Sequence, residues 1–183
     1  MNTLSRRTFL NKSVSTMAAA GLGTSLGTSA WAQVKGANDE IRIGIVGVGW
    51  KGGDHCQDFH KAKGARVVAI CDADQVHLDQ ESEKFKQRNQ PVKSYRDVRD
   101  MLDNKNIDAV VIVTPNHWHA LMAIWACQAG KDVYLEKPVS YDIWEGQRLL
   151  DAQKKYGRII QGGTQKRSNE SYDEAIEYMR GGA

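Results

Sequence analysis

A run of β-branched residues leading directly into three spaced glycines constrains this chain more than any other feature. Ile41-Arg42-Ile43-Gly44-Ile45-Val46 has the composition of a short buried strand, and Gly47-Val48-Gly49-Trp50-Lys51-Gly52 follows it as Gly-x-Gly-x-x-Gly. The chain holds 17 glycines, so the glycine pattern alone is weak. Asp72 strengthens it by ending the next apolar run, 20 residues after Gly52. Strand, glycines, helix, strand and acid thus occur in the order of a dinucleotide-binding turn. The alternative is a glycine-rich turn followed by an unrelated surface aspartate.

In the dinucleotide reading each residue has a physical task. Gly47 permits the tight turn, Gly49 lets the backbone approach a pyrophosphate, and Gly52 lets the helix pack close to the strand. The helix that follows offers free N–H groups and the positive end of its dipole to phosphates. Asp72 accepts hydrogen bonds from ribose hydroxyls, and its charge repels a 2′-phosphate, so NAD is expected rather than NADP. Trp50, inside the turn, is in reach of the cofactor, although the turn does not require tryptophan.

The first 32 residues are set aside. Ser5-Arg6-Arg7-Thr8-Phe9-Leu10 followed by a mildly apolar stretch has the pattern of a twin-arginine export signal, and Ala30-Trp31-Ala32 supplies a small-x-small cleavage site. The mature chain is expected to begin at Gln33, in a periplasmic or otherwise exported location. Residues 14–32 are rich in Gly, Ser and Thr and make a poor membrane span; a retained anchor is the alternative. Arg6, Arg7 and Lys12 are the charged residues of this segment, so removing it takes the formal net charge from +3 to zero. The basicity belongs to the leader, and no nucleic-acid partner is implied. Cys56, Cys71 and Cys127 are odd in number and lack CxxC spacing, which points to free, buried thiols.

Beyond residue 40 the apolar periodicity alternates. Strands are expected at 41–46, 66–71, weakly at 92–94, then at 109–113, 132–135 and 158–161. Helices are expected near 52–63, 74–88, 95–102, 117–129 and 142–156, with a further one beginning near Ser168. This is an α/β chain with a doubly wound parallel sheet of the Rossmann type. Asn116 is placed as a helix N-cap and Gly130 as the stop, with Leu121, Ile124 and Gln128 on successive turns. Asp142 and Glu145 give the next helix a capping-box start, with Ile143 and Leu150 facing the sheet. Trp118, Trp125 and Trp144 are expected to pack. Asp72, Thr114-Pro115-Asn116, Glu136-Lys137-Pro138 and Gly162-Gly163-Thr164-Gln165 each follow an expected strand. In a parallel sheet those ends share one edge, where open α/β sheets bind ligands.

On the Gly47–Gly52 turn, Thr114-Pro115-Asn116-His117-Trp118-His119 and Glu136-Lys137-Pro138, the chain resembles the Gfo/Idh/MocA oxidoreductases over residues 41–183. The resemblance implies a dinucleotide-binding domain over 41–163, after a linker at 33–40. It implies that 164–183 begin a second α/β substrate domain, largely missing here. It makes Gly47, Gly49 and Gly52 the pyrophosphate site, Asp72 the ribose contact, and Thr114, Asn116 and His119 contacts near the nicotinamide. Glu136 and Gln165 join the cofactor site, and Lys137 faces both nicotinamide and substrate. The family's substrates are sugars, cyclitols and related polyols, and it includes redox-neutral glycosidases and lyases. A homo-oligomer is expected for a full-length member, and a non-catalytic nucleotide-binding module is a further alternative.

The chemistry explains the lysine. When hydride leaves a carbinol carbon its hydroxyl loses a proton, and an amine beside that oxygen can relay it. An ordinary loop lysine paired with Glu136 is the competing reading. His117 and His119 form His-x-His, and His55 and His60 lie in the first helix, but no carboxylate or cysteine cluster completes a coordination sphere, so no metal is expected.

Overall fold

The computed structural model describes residues 40–182. The expected export signal and nearly all of the linker therefore lie outside the described residues.

Six segments form one sheet: β1 (Ile41–Val46), β2 (Ala65–Cys71), β3 (Lys93–Tyr95), β4 (Ala109–Ile112), β5 (Asp132–Glu136) and β6 (Ile160–Gly163). Their spatial order is β3-β2-β1-β4-β5-β6, and every neighbouring pair is parallel. This is the doubly wound order, with its reversal between β1 and β4. β1 and β4 pair from Ile43 with Ala109 to Val46 with Ile112, so the two strands at the reversal finish level with each other. The helices are α1 (Trp50–Lys61), α2 (Gln75–Gln87), α3 (Val98–Leu102), α4 (His119–Gln128), α5 (Ile143–Tyr156) and α6 (Glu170–Arg180).

The apolar strands are buried on both faces, as parallel sheets require. Side-chain alternation sends Ile43 and Ile45 to one core, with Val67, Ile70, Cys56 of α1 and Leu78 and Phe85 of α2. It sends Val46 to the other, with Ala69, Met101 of α3, Ala123 and Ala126 of α4, and Leu149 and Ala152 of α5. All three cysteines are free and buried, as their number and spacing suggested.

Local punctuation explains where the elements begin. Asp74 caps α2 by accepting the Val76 N–H at 2.8 Å, and Asp97 caps α3 through the Arg99 N–H at 2.9 Å. The latter cap starts α3 at Val98 rather than 95, because Tyr95 is the last residue of β3. Asp142 accepts the Glu145 N–H at 2.8 Å, while Glu145 reaches back to the Tyr141 N–H at 2.9 Å, a capping box displaced by one residue. Gly130, at φ +77°, ends α4 as expected.

Several expectations are corrected. Asn116 caps no α-helix: Asn116–Trp118 is a 3-10 turn and α4 starts at His119, without a side-chain cap. Ile143 is 92% exposed and Leu150 is exposed, because the sheet-facing stripe of α5 runs through Leu149 and Ala152. Leu121 and Gln128 likewise point outward, and the small residues Ala120, Ala123 and Ala126 let α4 lie close to the sheet. Trp125 packs against the core, but Trp118 and Trp144 are exposed. β6 runs two residues later than expected, so Gly162 and Gly163 lie within it, paired with Leu135 and Glu136. Among the described residues no helix is long and apolar enough to cross a membrane.

Candidate active site

The carboxyl ends of the strands border a cleft of about 1030 Å³. The glycine turn forms its floor. Gly47 sits at φ +82°, and a Cβ there would lie 2.8 Å from the Val113 carbonyl oxygen, at the end of β4. A Cβ on Gly52 would lie 1.7 Å from the Gly47 carbonyl oxygen, so no larger residue fits without moving the turn. α1 begins at Trp50 with Gly49 as its N-cap and no side chain capping it, which leaves its first N–H groups available to an anion. Trp50 stands 97% exposed at the cleft wall.

Asp72 is fixed at the tip of β2. Its Oδ2 accepts the Val48 N–H at 2.8 Å and its Oδ1 accepts the Asp74 N–H at 2.9 Å. Each carboxylate oxygen has a second lone pair for a ligand. Three neighbours on this wall were not anticipated from the sequence. His77 of α2 brings Nδ1 to 3.7 Å from Asp72 Oδ2, Arg96 Nη2 donates to the Ala73 carbonyl at 2.8 Å, and Arg99 pairs with Asp97. His77 lies one helical turn beyond the Asp74 cap, which is the signal that could have flagged it.

The opposite wall is made by the ends of β4 and β5. Thr114 lines it with a buried hydroxyl that finds no hydrogen-bond partner among the described residues. Lys137 and Gln165 also line the cleft; Asn116 does not.

Two further expected ligand contacts, His119 and Glu136, line the cleft while also holding partners within the protein. His119 is 2% exposed, with Nε2 2.7 Å from the Thr114 carbonyl and Nδ1 2.6 Å from the Pro138 carbonyl. Its ring joins the Thr-Pro turn to the Lys-Pro turn, whose Lys137–Pro138 bond is cis. Glu136 is also buried: Oε1 lies 2.8 Å from His55 Nε2, and Oε2 accepts the Lys137 backbone N–H at 2.9 Å. Burial alone would push the Glu136 carboxyl up. The hydrogen bonds from His55 and from the Lys137 backbone, with the charges of both residues, outweigh it and hold the group below its ordinary value. His55 escaped the sequence reading because its partner is 81 residues away. No group of three potential metal ligands occurs among the described residues.

Comparison with known proteins agrees with this geometry. "Glycosyl hydrolase family 109 protein 2" of Shewanella sp. (strain ANA-3) is 35% identical over 169 residues, spanning 82% of this chain and 37% of the relative. The structure of myo-inositol 2-dehydrogenase from Lactobacillus plantarum superposes with a TM-score of 0.69 at 32% identity, covering 78% of this chain and 42% of that one. Scyllo-inositol dehydrogenase from Lactobacillus casei, solved with NAD(H) and scyllo-inositol, gives 0.69 at 30% identity, covering 78% and 42%. The chain thus spans less than half the length of these relatives. Residues 41–164 match the family model described as "Oxidoreductase family, NAD-binding Rossmann fold". The chain belongs to this family, the Gfo/Idh/MocA oxidoreductases.

Proposed function

We propose that this chain is the cofactor-binding part of an enzyme that transfers hydride between NAD and a carbinol carbon of a sugar, cyclitol or related polyol. The observation that carries the reading is the convergence of the glycine turn, Asp72, the unpartnered Thr114 hydroxyl and Lys137 on one cleft. The residues fit the dinucleotide: the Gly47–Gly52 turn leaves room only for backbone, and the orphaned Thr114 hydroxyl calls for a polar ligand.

In this reading Gly47, Gly49 and the first turn of α1 hold the pyrophosphate, Trp50 borders it, and Asp72 takes the adenosine ribose. Asp72 favours NAD over NADP, since its charge opposes a 2′-phosphate, while Arg96 and Arg99 are engaged by the Ala73 carbonyl and Asp97. Thr114 and Gln165 orient the nicotinamide end. Bound NAD supplies the hydride acceptor. The Lys137 amine takes the proton from the substrate hydroxyl, and Glu136 and His119 hold the turn that presents it.

Redox-neutral glycoside cleavage, in which NAD returns to its starting state, is the second reading. It is favoured by the family 109 name of the relative that covers 82% of this chain. We also propose that the Arg6-Arg7 signal exports the protein already folded, with its nucleotide enclosed. Purification from the cytoplasm, denaturation and mass spectrometry of released nucleotide tests the cofactor. NAD is expected, and a folded chain that neither carries nor takes up NAD or NADP would overturn the assignment. In the full-length protein, Lys137→Ala should abolish turnover with NAD uptake intact; product analysis then separates net oxidation from bond cleavage, and cell fractionation checks export.

A further inference from the structure

The buried pair His55–Glu136 joins two parts of the cleft that are far apart in sequence. His55 lies on α1, three residues after Gly52, and Glu136 ends β5 immediately before Lys137. Their side chains are 9% and 8% exposed, and Nε2 and Oε1 are 2.8 Å apart. Because Glu136 is held below its ordinary value it is ionised and can only accept, so His55 Nε2 is the donor. The other carboxylate oxygen takes the Lys137 backbone N–H at 2.9 Å. The imidazole is itself held edge-on by Tyr134, with ring centroids 5.6 Å apart, and flanked by Phe59 at 6.2 Å. A buried charge-assisted contact of this kind fixes direction as well as distance.

We propose that His55 is a positioning residue for Lys137, acting through Glu136, so that the helix opening at the pyrophosphate turn sets the orientation of the lysine. The inference rests on the role assigned to Lys137 above. Packing alone would ask only for a ring of that size. The relay asks for an N–H at that point, because without it the Glu136 carboxylate loses a donor in a buried position and is left to the charge of Lys137, which already acts on it. A carboxylate drawn to that amine favours its ammonium form and makes it a poorer proton acceptor.

The test uses the full chain with acetylation by N-acetoxysuccinimide at several pH values, resolved residue by residue by mass spectrometry. His55→Ala should slow Lys137 acetylation by roughly threefold or more. Lys51 and Lys131 should keep their rates. His55→Gln, which restores an N–H, should return Lys137 to the parent pH profile. An unchanged Lys137 profile in folded His55→Ala, or a Gln variant that stays slow, overturns the proposal. Should His55→Ala not fold, Glu136→Gln decides: removing the charge must speed Lys137 acetylation, and an unchanged rate refutes the relay. NAD uptake by the parent chain, measured separately by calorimetry, tells failure of the cofactor reading from failure of this one.

Discussion

The Asp72 carboxylate accepts the Val48 N–H at 2.8 Å, joining the tip of β2 to the middle of the glycine turn. The residue that is expected to select the cofactor therefore also holds the loop proposed to bind its pyrophosphate. Asp72→Asn keeps an acceptor oxygen for Val48 and removes the charge. The fold should survive, while the preference for NAD over NADP falls about tenfold or more, the effect of roughly 1.4 kcal/mol of lost repulsion. Asp72→Ala removes the acceptors for both Val48 and Asp74, at about 1 kcal/mol each. It should weaken both nucleotides together and lower the thermal midpoint. Calorimetric titration with NAD and NADP, beside melting curves, distinguishes the two variants.

Gly52 is constrained by the backbone of Gly47, which is itself held at positive φ against the Val113 carbonyl. The Gly52→Ala methyl has no place 1.7 Å from the Gly47 carbonyl oxygen, so α1 must move away from β1. Roughly 1–3 kcal/mol of destabilisation is expected from such overpacking. Loss of nucleotide binding should exceed what the melting curve alone suggests, because the displaced element is the proposed phosphate site. Gly64→Ala provides the control: its φ of +76° strains alanine, but nothing lies within 4 Å of the added carbon. It should lower stability and leave affinity unchanged.

The sheet was legible because parallel strands buried on both faces require short runs such as Ile43–Val46 and Val110–Ile112, which few other structures tolerate. The cleft was legible for a related reason, since the strand ends carry the glycines, Asp72, Thr114 and Lys137. What escaped depends on distance or on exact helical phase. His55–Glu136 spans 81 residues and leaves no local period. Leu149 and Leu150 are adjacent leucines of equal hydrophobicity, and only the docking of α5 on the sheet decides that the first is buried and the second exposed. Asn116 has the chemistry of a cap, yet Pro115 leads into a 3-10 turn that delays the α-helix to His119.

The thiols should be inert while the chain is folded. Burial is the main cause that raises all three, with nearby carboxylates adding to it; Cys71, beside Asp72, is pushed up to about 12. Cys71 lines the cleft yet is 3% exposed, so an aromatic disulfide reagent has neither thiolate nor access. At pH 8 the native chain should release less than about one equivalent of chromophore over an hour, and three rapidly after denaturation. Fast native labelling of Cys71 would mean that the cleft opens well beyond the described geometry.

Acid should weaken the fold through three carboxylates, of which Asp97, paired with Arg99 at the surface, contributes least. Asp108 is held at about 2, chiefly by hydrogen bonds from the Arg42 side chain, and Glu136 is held low as described above. Both values are depressed on folding, so each contribution is fully present above the unfolded carboxyl range near 4 and is lost as pH falls through the folded value. Asp108 has a side chain 41% exposed, and solvent screening limits what its ion pair contributes; Glu136 is buried and should weigh more. Melting midpoints should accordingly be flat from about pH 6 to 5 in these two contributions and drop between about 4.5 and 2. Asp108→Asn should remove the lower part of that drop, because its window extends to about pH 2. Glu136→Gln should reduce that drop and also lower the midpoint at neutral pH, since His55 then faces a weaker acceptor. A midpoint in Glu136→Gln that keeps the parent's full acid dependence would show that His55 and the Lys137 backbone do not stabilise the charged form of Glu136.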